Sequence, residues 1–146
     1  MALQTVKTEV KSVGGMKVQC SAREFKYTID EPENLGGTNE GMNPAESLLC
    51  ALGACKCIVA KVLSKTHKIN LEKLKVEMEG EIDPDGFTGK NINAKIGFSK
   101  ITTKYIIKTS NTREEINDFI FKVEHDCPMK ETIENAPEMH LQINFE

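Results

Sequence analysis

The chain has 146 residues, 39% of them hydrophobic and 28% charged, an ordinary globular composition with length enough to bury a core. A net charge of −3 and a pI near 5.7 leave no basic footprint for nucleic acid or an anionic membrane surface. The N-terminal residues show no hydrophobic signal core, and the longest apolar stretch, Leu48 to Ala60, has 13 residues with Lys56 inside it. A membrane span needs ~20. The expectation is a cytoplasmic protein without a membrane segment.

No internal repeat, low-complexity tract or linker interrupts the sequence, so residues 1–146 read as a single domain. Met16, Val18 and Cys20 alternate with Lys17 and Gln19. Phe25, Tyr27 and Ile29 alternate with Lys26, Thr28 and Asp30. This period of two predicts half-buried strands. Pro32 and the Gly36–Gly41 segment predict a loop.

A helix is signalled next. Asn43 suits the N-cap, Pro44 the first helical position, and Glu46 the third, where it closes a capping box. The helix runs to about Ser64 and is apolar nearly all round between Leu48 and Ala60, so it must be covered on every side. Further strands are predicted over Leu74–Ile82, over Ile92–Phe98 after a turn at 83–86, and around Tyr105–Ile107. Thr112 and Glu115 read as a second capping box, followed by apolar Ile116, Phe119, Ile120 and Val123 at helical spacing. Cys127 and Pro128 open a short helix ended near 135–137, and Met139, Leu141, Ile143 and Phe145 predict a last strand.

This order predicts an α+β fold with antiparallel sheet. A chain of this size has little with which to wrap an all-apolar helix. A second subunit supplying the cover, in a homodimer, is the economical reading.

The five cysteines are Cys20, Cys50, Cys55, Cys57 and Cys127. An odd count without an export signal argues for free thiols rather than a disulfide scaffold. Cys50 and Cys57 share a helix face with Gly53, and Cys20 lies on the inward phase of its strand, so all three read as packing residues.

The Leu35–Gly37 run, the stretch from Asn43 to Cys55, and His125-Asp126-Cys127-Pro128 together resemble the osmotically inducible protein C and organic hydroperoxide resistance family. The similarity extends to element order over nearly the whole chain. It implies an intertwined homodimer, with antiparallel sheets wrapping long buried central helices and active sites at the interface. It also implies a thiol peroxidase for organic hydroperoxides, with Cys55 as the attacking thiol. Cys127 would then be the resolving thiol, and a dithiol reductant would recycle the disulfide.

The residues themselves leave alternatives. Cys55 lies eleven positions after Pro44, beyond the reach of the helix N-terminus, and on its own reads as a small core side chain rather than a reactive thiol; only the resemblance reverses that. A thiolate there needs a cation; Lys56, about 100° round the helix, Lys17 and Arg23 are the candidates. Cys127 at a helix N-cap should be the more acidic thiol, with His125 either an aid or a solvated surface residue. Two departures from the best-known peroxidases stand out. Ala45 occupies the position ten before Cys55, where they carry Glu, and the early segment has no Arg. Glu46, nine before Cys55, falls on the opposite side of the helix and reads as a capping residue rather than an active-site carboxylate.

The rival reading is a redox-sensing or small apolar ligand-binding dimer with little peroxidase turnover. A metal site is disfavoured because Cys55 and Cys57, two apart on a helix, diverge by about 200°. No phosphate loop, dinucleotide fingerprint or hydrolase triad occurs, so neither a cofactor nor a metal is expected.

Overall fold

The computed structural model describes residues 2–145. The chain forms two compact units, residues 1–49 and 50–146. Together their elements make an α+β fold with antiparallel sheets.

The first unit is a three-stranded meander: β1 (Glu9–Gly14), β2 (Lys17–Ala22) and β3 (Phe25–Ile29). Val10, Cys20 and Tyr27 lie in one cross-strand row, and Cys20 is buried. The strand β1 is absent from the sequence expectation. A register shift between Ser12 and Gly14 throws Val13 out of phase, and Gly14 and Gly15 turn the chain with φ of 117° and 57°. Met16 therefore sits in the turn, not in the strand.

Asp30, read from the alternation as a solvent-facing position, is buried. Its carboxylate accepts hydrogen bonds from the Thr38 hydroxyl (2.7 Å) and from the backbone N–H of Glu31, Thr38 and Glu40 (2.8, 3.0 and 3.2 Å). The 31–40 loop is thus wound round one carboxylate. Gly37 lies so close to the Glu31 backbone that a Cβ would collide with it. The Thr38 hydroxyl leads the groups that hold the Asp30 pKa down, to about 2.

Helix α1 (Pro44–Thr66) begins at the expected capping box. The Asn43 N–H donates to Glu46 Oε2 (2.8 Å), and the Glu46 N–H donates to Asn43 Oδ1 (2.9 Å). By length and composition alone this helix could cross a membrane. Its internal charge, Lys56, is however ion-paired within the protein. Leu52, Gly53, Lys56 and Ala60 are buried, whereas Leu48, Ile58 and Val62 are exposed.

In the second unit, β4 (Lys73–Glu81) and β5 (Lys100–Lys108) pair without interruption from Lys73↔Lys108 to Glu81↔Lys100. The pairs Leu74↔Ile107, Val76↔Tyr105 and Met78↔Thr103 share one face. On the opposite face Glu77 meets Lys104 and Glu81 meets Lys100. Gly53 of α1 rests on Met78, with no room for a Cβ between them.

The expected strand at 92–98 does not form. Asn91 turns the chain there, accepting from the N–H groups of Asn93 and Ala94. Pairing begins only where the Ser99 N–H reaches the Glu81 carbonyl (2.8 Å). The 83–86 turn is instead the start of a short helix, α2 (Pro84–Thr88), capped by Asp83.

Helix α3 (Arg113–Asp126) carries the expected Thr112–Glu115 box, and its Phe119 and Val123 join Ala60 of α1 in the core. Helix α4 (Pro128–Glu134) follows. The expected last strand has no partner among the described residues. Met139, Leu141, Ile143 and Phe145 are between 67% and 93% exposed. Alternation makes a segment ready to pair, but a strand also needs an edge to receive it.

Because the folded Asp30 pKa is depressed, its stabilisation is present above the ordinary carboxylate value and is lost as pH falls. Asp30→Asn should lower the unfolding midpoint at pH 7. The gap to the wild type should close as pH drops from 3.8 towards about 2, read by denaturant unfolding across that range.

Candidate active site

Cys55 lies midway along α1. Cys127 is the joint between α3 and α4, in extended conformation, with Pro128 after it as the first residue of α4. The two sulfurs are 3.4 Å apart, the Cys127 thiol donating to Cys55 Sγ. Both thiols are free; Cys127 is fully buried and Cys55 half-buried. A disulfide needs S–S near 2.05 Å, so closure asks for a side-chain rotation and a shift of ~1.4 Å, not a rearrangement of helices.

Cys127 does not show the lowered pKa expected of a thiol at a helix N-cap. Burial pushes its pKa up, and the neighbouring Cys55 adds to the rise. The backbone N–H groups of Lys130 and Met129 at the start of α4 pull the other way, without forming a capping hydrogen bond. Desolvation outweighs what the end of a seven-residue helix supplies. Cys127 is therefore a protonated, sealed thiol.

Lys56, the neighbour of Cys55, is also buried. Its Nζ donates to Thr103 Oγ1 (2.6 Å) and to both carboxylate oxygens of Glu124 (2.7 and 3.0 Å). The Tyr105 hydroxyl donates to the same Glu124 Oε1 (2.6 Å). Burial, and then this carboxylate, push the tyrosine pKa up, so Tyr105 stays protonated. A cleft of about 550 Å³ opens beside the network, with Leu52, Phe98, Ile101, Ile120 and Ile133 among its apolar lining.

The other candidates are engaged elsewhere. Lys17 pairs with Glu40 (2.8 Å), and the Arg23 guanidinium stacks 4.8 Å over the Phe25 ring. Glu46 closes the α1 capping box. His125 is 73% exposed and sits 2.7 Å from Asp126. Cys50 is exposed and Cys57 half-buried. Among the described residues no three His, Cys, Asp or Glu side chains gather as a metal site would require.

Glu124, Thr103 and Tyr105 were missed from the sequence. One signal could have found the first of them. A lysine inside an apolar helix demands a counter-charge, and Glu124 flanks the apolar stripe of α3, four residues after Ile120.

Two thiols in contact, one sealed and one within reach of solvent, can cycle between dithiol and disulfide. A sequence model described as OsmC-like protein matches residues 37–142, and the chain belongs to that family. A hydroperoxide reductase of Mycoplasma pneumoniae is 25% identical over 122 residues, 83% of this chain and 81% of that protein. An OsmC-like protein structure from the same organism superposes with a TM-score of 0.77 at 22% identity, covering 91% of this chain and 89% of its own. An organic hydroperoxide resistance protein from Elizabethkingia anophelis superposes with a TM-score of 0.67 at 19% identity, covering 92% and 91%. At such identities the structural likeness speaks to the fold.

Tyr105→Phe removes one hydrogen bond to Glu124 and should cost ~1 kcal/mol of stability, measured by urea unfolding.

Proposed function

We propose that this protein is a thiol peroxidase that reduces organic hydroperoxides through Cys55 and Cys127. The observation that carries the reading is the 3.4 Å contact between the two sulfurs. The family and the relatives named hydroperoxide reductase support the substrate class.

In this cycle the Cys55 thiolate attacks the terminal peroxide oxygen. The O–O bond breaks, Cys55 becomes a sulfenic acid, and the alkoxide leaves and is protonated to the alcohol. The Cys127 thiol then attacks the sulfenic sulfur; the S–S bond forms and water leaves. A dithiol reductant takes the disulfide back to two thiols and is itself oxidised. Burial suits Cys127 to the second step: a protonated, sealed thiol does not compete with Cys55 for peroxide.

The active form in this reading is an intertwined homodimer in the cytoplasm. The exposed Leu48, Ile58 and Val62 of α1 and the unpaired apolar segment 139–145 supply surface for a second copy. A solution mass of twice 16.3 kDa is expected by light scattering.

One observation favours a second reading, a redox sensor or apolar ligand binder with slow turnover. The cation beside Cys55 is committed to Glu124, leaving no free ammonium there to favour a thiolate.

Steady-state consumption of cumene hydroperoxide with a dithiol reductant separates the two. Cys55→Ser should abolish turnover, and Cys127→Ser given peroxide without the reductant should consume one equivalent and hold a dimedone-trappable sulfenic acid. Turnover surviving in Cys55→Ser would refute the peroxidase cycle. A wild type that consumes no more than a stoichiometric amount would favour the sensor.

A further inference from the structure

Two side-chain bridges join α1 to the end of α3, and they are close neighbours along the chain at both ends. Cys55 meets Cys127, and Lys56 meets Glu124, three residues before Cys127. The Lys56 ammonium is fixed from two sides, by the Glu124 carboxylate and by Thr103 of β5. Tyr105 of the same strand holds Glu124 from a third direction. All the polar atoms of this network are paired within the second unit.

Such a network is a poor device for stability alone. Desolvating an ammonium and a carboxylate offsets most of their attraction, and apolar residues of similar volume serve as well or better. What the charges supply is geometry. A lysine with two acceptors and a carboxylate with two donors have one arrangement that satisfies both, whereas apolar side chains pack in several. Cys127 needs that fixity, because it sits at a joint between two helices rather than within either.

We infer that Lys56 and Glu124 are positioning residues for the Cys55–Cys127 couple: their ion pair fixes the register of α1 against the α3–α4 joint so that the two sulfurs meet. This rests on the reading that the two thiols form a disulfide, but not on the peroxide chemistry. Lys56 acts through Glu124 and Thr103 and donates nothing to the Cys55 sulfur in the structure. Its neighbourhood to Cys55 in sequence therefore serves alignment rather than thiolate activation.

The test uses thiol–disulfide equilibrium with glutathione on the full chain. One oxidised glutathione takes two electrons from the Cys55 and Cys127 thiols, giving the protein disulfide and two reduced glutathiones. Peptide mapping of quenched samples gives the fraction linked at each ratio, and hence the effective concentration of one thiol at the other. Lys56→Met and Glu124→Gln should each lower it by about 10- to 100-fold, the scale of an ångström-sized misplacement. Lys56→Arg, which keeps the positive charge and can still donate to Glu124, should recover part of it.

Circular dichroism identifies variants that fail to fold. The double variant Lys56→Met with Glu124→Leu avoids an unpaired buried charge and is the folded form to read in that case. It should show the same loss. Leu74→Ala, a core truncation outside the network, controls for destabilisation alone and should leave the equilibrium unchanged.

An effective concentration that stays at the wild-type value in the folded double variant overturns the inference. So does an equal loss in Leu74→Ala, or a wild type that forms no Cys55–Cys127 disulfide at any glutathione ratio. If the losses appear while peroxide turnover is absent, the peroxidase reading fails and the positioning role stands.

Discussion

An ammonium group in the middle of an apolar helix must be neutralised by the fold around it, and much of the second unit is arranged to do so. Lys56 of α1 reaches Glu124 on the last turn of α3, and Thr103 and Tyr105 of β5 close round the pair. Three elements are thereby fixed to one another at a single point. Apolar packing of Ala60, Phe119 and Val123 supplies the adjoining core, but such packing tolerates small slides of one helix on another. The ion pair tolerates fewer. Cys55 and Cys127 lie one residue and three residues from its two ends, and their sulfurs sit within hydrogen-bond range.

The same desolvation that makes the ion pair costly to break sets the character of the thiols. Cys127 is enclosed and its thiol is pushed towards the protonated form, in spite of the backbone N–H groups beside it. Cys55, half-buried, is the one a solute can reach. The contrast between an accessible thiol and a sealed one thus follows from burial, independently of any helix dipole. In the first unit Asp30 plays a comparable organising role. It is a buried carboxylate that is not ion-paired but held by four hydrogen bonds from the loop it folds.

What was legible in the sequence was whatever local chemistry determines. The Asn43–Glu46 and Thr112–Glu115 boxes are readable because each joins residues three apart on a single turn. The stripe of Phe119 and Val123 is readable because helical spacing puts it on one face. Strand positions fared worse where alternation ran on: 92–98 and 100–108 carry equally good patterns, and only the register against β4 decides between them. The segment 139–145 alternates as well as any strand, yet among the described residues it pairs with none. Glu124, Thr103 and Tyr105 were invisible as a group, since their meeting with Lys56 depends on how α1, α3 and β5 pack. The Cys55–Cys127 pairing came from family resemblance; spacing alone says nothing about two cysteines 72 residues apart.

The central claim is that these two thiols form one redox couple. It is tested most directly by titrating the reduced protein with one equivalent of cumene hydroperoxide, counting the remaining thiols and mapping peptides without reduction. Rapid loss of two thiols from five, with a single linked peptide joining Cys55 to Cys127, is the predicted result. A folded protein that keeps those two thiols free, or that links either of them to Cys20, Cys50 or Cys57 instead, would contradict it.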